Sequence, residues 1–200
     1  MAGNVATYAG ADYLASCGAD LIKVGIGGGS VCTTRIKTGF GVPNLTAIKE
    51  CARVDRSIIA DGGIRASGDI VKALAFGADF VMVGSMLAGT RPTPGEVITR
   101  MNETGHEVKF KQYRGMASRE AQNDFHGGVA EWKTAEGVAL EVPYTETEDA
   151  IIADIIGGLR SGLTYAGAST IKELQRKLDY VHVTPAGRVE SLAHGQSSLR

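Results

Sequence analysis

The chain has 200 residues, of which 44% are hydrophobic and 22% charged, so it is long enough to bury one sizeable core. Its 21 basic and 22 acidic residues nearly cancel, and this balance argues against a nucleic-acid partner. No apolar run reaches the roughly eighteen residues of a membrane helix, and the first residues lack the pattern of a signal peptide. We therefore expect a soluble, cytoplasmic protein with no membrane partner.

A β/α pattern fills the first 95 residues, because apolar runs of strand length alternate with segments of helical periodicity. The sequence GADLIKVGI is echoed by GADFVMVGS, which indicates a repeated unit. The predicted elements are, in chain order, the end of a strand at 3–7, a helix at 8–17, a strand at 21–26, a helix at 44–54, a strand at 57–61, a helix at 67–76 and a strand within 77–85. This alternation predicts a parallel α/β fold, whose functional loops follow the strands.

The pattern changes between positions 95 and 143, where the sequence is polar and glycine-rich. We interpret this segment as a long insertion or flap, with a hairpin around Asn102-Glu-Thr-Gly105. Helical periodicity returns at 146–163 and, in a shorter segment, at 169–177. A last strand is predicted at 180–184, followed by a polar tail.

The segment GIGGGSVCTTR combines flexibility with a potential nucleophile. Its glycines allow backbone amides to approach an anion closely, and Ser30 adds a hydroxyl. The turns at 61–63 and 84–85 follow the next two strands, where β/α barrels commonly bind phosphate. Asp61, at the end of a strand, is suited to accept hydrogen bonds from a ribose diol. Together these turns favour a nucleotide phosphate site.

Cys32 is the cysteine that we expect to be reactive. It lies in a polar loop with Arg35 and Lys37 within five residues, and nearby cations stabilise the thiolate form. Cys17 and Cys51 lie in helical patterns, where a free cysteine is usually a small apolar residue. The cysteines form no CxxC pair, and the histidines at 106, 126, 182 and 194 show no ligand spacing, so no zinc site or disulfide framework is expected.

The motifs GIGGGSVCTTR, IIADGGI, FVMVGSMLAGT and YRGMAS, in this order, resemble those of the IMP dehydrogenase and GMP reductase family. The resemblance covers nearly the whole chain but only the C-terminal half of the family's (β/α)8 TIM barrel, about strands 5–8, with a long flap insertion. It implies one half-barrel unit over 1–200, divided into β/α units at 1–95, a flap at 96–145, and closing helices with a tail at 146–200.

The resemblance also implies roles for individual residues. Cys32 would attack C2 of a purine nucleotide, GMP or IMP, with Thr34 and Glu136 as its catalytic partners. Ala117 and Ser118 would contact the nicotinamide cofactor, and the carbonyls of Gly27, Gly29 and Cys32 would hold a potassium ion. The implied substrate contacts are Ser30, Asp61, Gly62, Gly63, Gly84, Ser85, Tyr113, Gly115, Met116, Lys133, Ala135 and Gly137.

The flap separates the two branches of the family. Its sequence GGVAEWKTAEGV resembles the reductase pattern and lacks the Arg-Tyr pair with which the dehydrogenase activates water. This favours an NADPH-dependent GMP reductase, in which Lys133 replaces the more usual arginine. The segments 64–69 and 184–191 look closer to IMP dehydrogenase, which oxidises IMP with NAD and remains the alternative.

A half barrel leaves two sheet edges unpaired, and such edges favour association. The missing strands would come from a partner chain, or from a second copy in a homo-oligomer, for which the resemblance implies a tetramer. Alternatively, the chain is a truncated product that is unstable alone. A third hypothesis, of a different class, is an inactive nucleotide-binding fragment.

Overall fold

The computed structural model describes residues 1–192 and consists of two β-sheets with surrounding helices. The elements are, in chain order, β1 (Ala2–Val5), α1 (Tyr8–Ser16), β2 (Leu21–Val24), α2 (Thr34–Thr38), α3 (Asn44–Cys51), β3 (Ser57–Asp61), α4 (Ser67–Ala75), β4 (Phe80–Met82), β5 (Val97–Met101), β6 (Glu107–Arg114), α5 (Arg119–His126), β7 (Ala139–Pro143), α6 (Asp149–Tyr165), α7 (Ile171–Arg176) and α8 (Pro185–Glu190). Within this described part, no helix has both the length and the apolar character required to cross a membrane.

The first sheet is parallel, with the strand order β1-β2-β3-β4. Its strands are connected by helices, as the alternating pattern of the sequence predicted. Ile22 and Val24 of β2, together with Ile58 and Ala60 of β3, are almost fully buried in the main core. Alternate residues of a strand point to opposite faces, so these four form one face of the sheet, on which α1, α3 and α4 pack.

Helix α6 packs closely on α4, because glycines of α6 face side chains of α4. Gly158 of α6 faces Ser67, and Gly162 faces Val71, and a Cβ at either position would approach those side chains to less than 3 Å. The apolar stripe predicted within 146–163 therefore packs on the outer helix layer, with Ile155 and Leu159 against the core.

The second sheet is antiparallel, with the order β5-β6-β7, and contains the predicted hairpin. Asn102 closes the turn, because its side-chain oxygen accepts hydrogen bonds from the backbone amides of Thr104 and His106. Gly105 has a φ of +79°, a conformation that favours glycine. The insertion is thus a folded three-stranded unit that also contains α5, and neither β7 nor α5 was predicted.

The strand predicted at 180–184 is wrong. Tyr180 instead packs its ring against Phe76 and accepts a hydrogen bond from Lys49, and these residues belong to no strand. Thr184 then caps α8 by accepting a hydrogen bond from the Gly187 amide, and Pro185 occupies the first turn, where proline is favoured. Part of the predicted polar tail is therefore helical. His194 lies outside the described residues.

Candidate active site

A cleft of about 620 Å³ opens where β2, β3 and β4 end. The three strands are parallel, so the loops that follow them meet at one edge of the sheet. Seven of the predicted substrate contacts line this cleft: Ser30, Asp61, Gly62, Gly63, Gly84, Ser85 and Tyr113. The structure therefore brings together the three turns that the sequence singled out and the predicted Tyr113 of the flap sheet.

Tyr113 of β6 lies across the first and third of these turns. Its hydroxyl is 3.2 Å from the Ser30 hydroxyl, at hydrogen-bond distance. A Cβ on Gly84 would lie 2.8 Å from the same tyrosine oxygen, so a larger residue there would displace the Tyr113 hydroxyl. The Ser30 and Tyr113 hydroxyls thus meet beside glycine-rich turns at one end of the cleft, and this combination suits an anion such as phosphate.

Asp61 is held at the end of β3 by two donors. The Asn4 amide and the Lys23 ammonium both lie 2.9 Å from Oδ2 of Asp61. Within the described chain no hydrogen bond reaches Oδ1, which is therefore available to accept from a ligand hydroxyl. The sequence had indicated Asp61 itself but neither of the side chains that orient it.

Asn44, at the start of α3, ties two of the turns together. Its Nδ2 donates to the backbone oxygens of Asp61, at 3.3 Å, and of Gly62. Its Oδ1 is buried and has no hydrogen-bond partner among the described residues, and a Cβ on Gly28 would collide with it. Asn44 was not among the predicted site residues, because an asparagine after a proline has no local pattern that points to such a contact.

Cys32, Thr34 and Glu136 form a chain of hydrogen bonds beside the cleft. The Cys32 thiol donates to the Thr34 hydroxyl at 3.2 Å, and that hydroxyl donates to Oε2 of Glu136 at 2.7 Å. A hydroxyl both accepts and donates, so this arrangement can pass a proton from sulfur to carboxylate. All three residues are half-buried.

Backbone hydrogen bonds hold the cysteine loop and the Glu136 segment together. The amide of Thr33 donates to the carbonyl of Glu136 at 2.8 Å, and the amide of Val138 donates to the carbonyl of Val31 at 2.9 Å. The amide of Glu136 in turn donates to the carbonyl of Ala117 at 3.0 Å. The cysteine loop, the Ala117 turn and the Glu136 segment are therefore joined, although they are far apart in sequence.

The remaining predicted contacts fall into two groups. Gly115 and Gly137 pack against the cysteine loop, with half-buried Ala135 just before Glu136, while Met116 and Ala117 are exposed next to this junction. Lys133 lies elsewhere: its ammonium is 4.6 Å from the centre of the Trp132 ring, and it borders a separate hollow of about 460 Å³. The structure does not bring Lys133 to the cleft.

Ser118, a predicted cofactor contact, is fully buried. Its hydroxyl accepts a hydrogen bond from the Ala121 amide and so caps α5, which commits the side chain to the helix. Of the two predicted cofactor residues, only Ala117 is exposed.

The glycines predicted to hold a cation lie directly before Cys32. The Gly29 carbonyl accepts a hydrogen bond from the Cys32 amide at 3.1 Å, and a Cβ on Gly27 would lie 2.7 Å from the Arg35 side chain. Arg35 donates to the Val42 carbonyl and lines the cleft. The described residues contain no group of three or more histidine, cysteine, aspartate or glutamate side chains that would hold a metal ion.

The other two thiols differ from Cys32 in their surroundings. Cys17 is exposed, whereas Cys51 is fully buried and donates to the Thr7 carbonyl at 3.4 Å. Burial, and then the charge of Glu50, raises the pKa of the Cys51 thiol to about 11. It therefore stays protonated and unreactive near neutral pH.

Two arginines that the sequence analysis did not single out also line the cleft. Arg65 follows the Gly62–Gly63 turn, and Arg188 comes from α8, near the end of the described chain. Neither has a local sequence signal, because only the packing of distant segments places them at the cleft. Both side chains bring positive charge to the cleft.

Comparisons with a family model and with individual known proteins identify the same family. The family model "IMP dehydrogenase / GMP reductase domain" matches residues 1–194. GMP reductase 2 of Homo sapiens is 48% identical over 188 residues, which cover 92% of this chain and 53% of that protein. The chain thus spans about half the length of the curated reductases that it matches.

Two solved structures are similar in sequence and in fold. A crystal structure of inosine 5′-monophosphate dehydrogenase from Legionella pneumophila is 76% identical, with a TM-score of 0.78, covering 94% of this chain and 57% of that one. A structure of GMP reductase from Trypanosoma brucei, in complex with guanosine 5′-monophosphate, is 42% identical, with a TM-score of 0.88, covering 98% of this chain and 40% of that one.

Proposed function

The chain belongs to the IMP dehydrogenase / GMP reductase family, and we propose that it carries the catalytic half of a GMP reductase, which converts GMP to IMP and ammonia with NADPH. The observation that carries this proposal is the hydrogen-bonded series Cys32, Thr34 and Glu136. A dehydrogenase needs a group that activates water after the hydride has left. A reductase needs instead a route by which a proton reaches the departing amine, and this series supplies one.

In the first step, the Cys32 sulfur forms a bond to purine C2 of GMP. The thiol proton passes through the Thr34 hydroxyl to Glu136, which becomes neutral. The C2–N bond then breaks, the nitrogen takes the proton from Glu136 through Thr34, and ammonia leaves. The purine stays attached to Cys32.

In the second step, hydride reaches C2 and the bond between C2 and sulfur breaks, which gives IMP and restores the Cys32 thiolate. NADPH, when bound, supplies that hydride. Ala117 and Met116 present exposed surface at the junction of the cysteine loop and the Glu136 segment. We assign the nicotinamide end of the cofactor to this surface, with Ala117 as its contact; buried Ser118 supports the surface from below.

The cleft next to Cys32 suits the rest of the nucleotide. The 5′-phosphate is assigned to the end where Ser30, Tyr113 and the turns at 62–63 and 84–85 meet. The free Oδ1 of Asp61 is assigned to the ribose hydroxyls. With both ends held, the base extends towards Cys32, so that its C2 lies near sulfur.

The exposed face of the parallel sheet supports the proposal that another half-barrel completes the fold. Phe80 and Met82 of β4 are 55% and 41% exposed, which is high for apolar strand residues. Within the described residues, β1 and β4 each pair on one side only. We propose that further strands, from a partner chain or a second copy, cover this face and pair with these edges.

One observation favours the dehydrogenase as a second candidate, namely the 76% identity with the Legionella pneumophila structure. Steady-state assays separate the two. The reductase predicts loss of NADPH absorbance with GMP and no NADH formation from IMP and NAD. Turnover only with IMP and NAD would overturn the reductase in favour of the dehydrogenase. IMP binding without turnover in either assay would indicate the nucleotide-binding fragment.

A further inference from the structure

Lys111, in the middle of β6, is a buried lysine that the reaction does not use. Its side chain is only 3% exposed. Its ammonium donates to three backbone carbonyls of one turn: those of Thr90 at 3.1 Å, Arg91 at 3.0 Å and Thr93 at 2.5 Å. The three N–H donors of a lysine are therefore matched by three acceptors.

We propose that Lys111 is a positioning residue for the nucleotide phosphate: it locks the loop after β4 onto β6, so that Tyr113 stays above Ser30 and Gly84. This inference rests on the assignment of the phosphate to that end of the cleft. Lys111 and Tyr113 are two residues apart on one strand, so their side chains leave the same face of the flap sheet. Lys111 binds the loop at its distant end, residues 90–93, and Tyr113 contacts the loop where it begins, at Gly84.

The loop between these two points is internally hydrogen-bonded. The Leu87 amide donates to the Gly84 carbonyl at 3.0 Å, and the Thr90 amide donates to the Leu87 carbonyl at 3.0 Å. The Thr90 hydroxyl adds a second bond to Leu87 at 2.8 Å. The carbonyl of Thr90 is then one of the three that accept from Lys111. A continuous series therefore links the ammonium to Gly84.

A second contact holds the loop against the flap sheet. The Arg91 amide donates to the Thr145 carbonyl, and the Thr145 amide donates to the Gly89 carbonyl, both at 2.9 Å. A Cβ on Gly89 would overlap the Pro143 carbonyl, so only glycine allows this approach. The loop is thus hydrogen-bonded both to the segment that follows β7 and to the Lys111 ammonium.

The charge of Lys111 is better explained by positioning than by stability. Burying a charge is costly, and the hydrogen bonds to three carbonyls mainly offset that cost and add little net stability. The Lys111 ammonium, however, binds three carbonyls of the turn at once, and this requires all three to point at the same nitrogen. It therefore selects one conformation of the loop. An apolar side chain at this position would fill the space but would leave the turn free to adopt others.

The test compares Lys111→Met with Lys109→Met in the full chain. Lys109 is on the same strand and is exposed, and both ammonium groups lie 6.0 Å from the centre of the Tyr144 ring. The two variants therefore remove the same charge near the same ring, but only Lys111→Met removes the carbonyl contacts. The ligands are IMP and inosine, which differ only in the phosphate, and IMP is common to both reactions of the family.

We expect Lys111→Met to weaken IMP binding about tenfold, comparable to the loss of one or two hydrogen bonds, and to leave inosine binding unchanged. Lys109→Met should bind both ligands as the parent chain does. In the double variant with Tyr113→Phe, the loss should not exceed the larger single loss. Equal weakening of IMP and inosine, or fully additive losses, would overturn the inference.

Hydrogen exchange in the ligand-free chain separates this inference from the proposed function. Lys111→Met should speed exchange of the amides at 87–93, and Lys109→Met should not. If the parent chain fails to bind IMP, the proposed function and the phosphate role of Lys111 both fail. If it binds IMP but exchange at 87–93 is unchanged in Lys111→Met, only the positioning role fails.

Discussion

Thr34 and Glu136 are 102 positions apart in the sequence, and their side chains share a hydrogen bond of 2.7 Å. The contact joins the cysteine loop of the parallel sheet to the segment that follows the flap helix. Because Thr34 also accepts from Cys32, the carboxylate is connected to the thiol through one hydroxyl. Any chemistry at Cys32 that moves a proton therefore has the Glu136 carboxylate at the end of this path.

Glu136→Gln should lower the turnover of GMP by about 10²–10⁴-fold, the usual contribution of a general acid or base. Glutamine keeps the size of the side chain and still accepts from Thr34, but it takes up no proton. IMP affinity should stay the same, because Glu136 does not line the phosphate cleft. Turnover under saturating NADPH and IMP binding by calorimetry measure the two effects.

Glu131→Gln is the matched control for this change, since Glu131 is an exposed carboxylate of the same segment and lies five positions away. It should keep full activity. If Glu136→Gln keeps GMP turnover, the proton route through Thr34 is not used, and the proposed reaction loses its main support.

Cys32→Ser should abolish turnover, by more than about 10³-fold, because a serine hydroxyl is a far weaker nucleophile than a thiolate. Cys17→Ser should have no effect, since Cys17 is exposed and away from the cleft. The measurement is the rate of NADPH oxidation with GMP, with circular dichroism as the check of folding. Loss of activity in a folded Cys17→Ser chain would show that Cys32 is the wrong thiol.

The sequence predicted best what depends on local pattern. The strand at 57–61 and the helices that begin at Tyr8, Asn44 and Ser67 have the predicted type and nearly the predicted bounds, because a buried apolar run or stripe determines each of them. The loop residues of the cleft also came together as expected, since parallel strands place their following loops on one edge.

What the sequence could not predict depends on tertiary contacts. The alternation in Tyr180-Val-His-Val-Thr184 is typical of a strand, but a strand also needs a partner, and this segment packs through Tyr180 on Phe76 instead. In the sequence, Lys111 is indistinguishable from the other charged residues of the polar flap. Its burial follows only from the position of the Thr90–Thr93 turn. Ser118 matched a cofactor position by resemblance, yet the local helix uses its hydroxyl.

The buried thiol of Cys51 should make stability depend on pH in the alkaline range. Burial and Glu50 raise its pKa in the folded state to about 11, from about 9. The folded chain therefore holds the proton more tightly than the unfolded chain does, so the free energy of unfolding is unaffected below about pH 9 and falls as the pH rises towards 11. Urea unfolding at pH 8 and at about pH 10.5 measures the fall.

Cys51→Ala is the comparison for this measurement, because it removes the thiol and leaves the other alkaline groups. The difference in unfolding free energy between the two pH values should be smaller in Cys51→Ala than in the parent chain. An equal pH dependence in both proteins would mean that the fall comes from tyrosine and lysine residues and that Cys51 contributes nothing.

Gly25 is the position where the parallel sheet and the cleft depend most directly on a missing side chain. It has a φ of +146°, and a Cβ there would overlap the Asp61 carbonyl at the end of β3. Gly25→Ala should therefore destabilise the fold by about 2–4 kcal/mol, from backbone strain and from the displaced strand end.

Two other glycines separate the backbone strain from the steric overlap. Gly18 has a φ of +89° but open space around it, so Gly18→Ala should cost only about 1–2 kcal/mol. Gly68 lies in α4 with neither constraint, so Gly68→Ala should change stability by less than about 1 kcal/mol. Urea unfolding of the three variants gives the order, and a Gly25→Ala chain as stable as Gly18→Ala would show that β2 and β3 can separate at the cleft without cost.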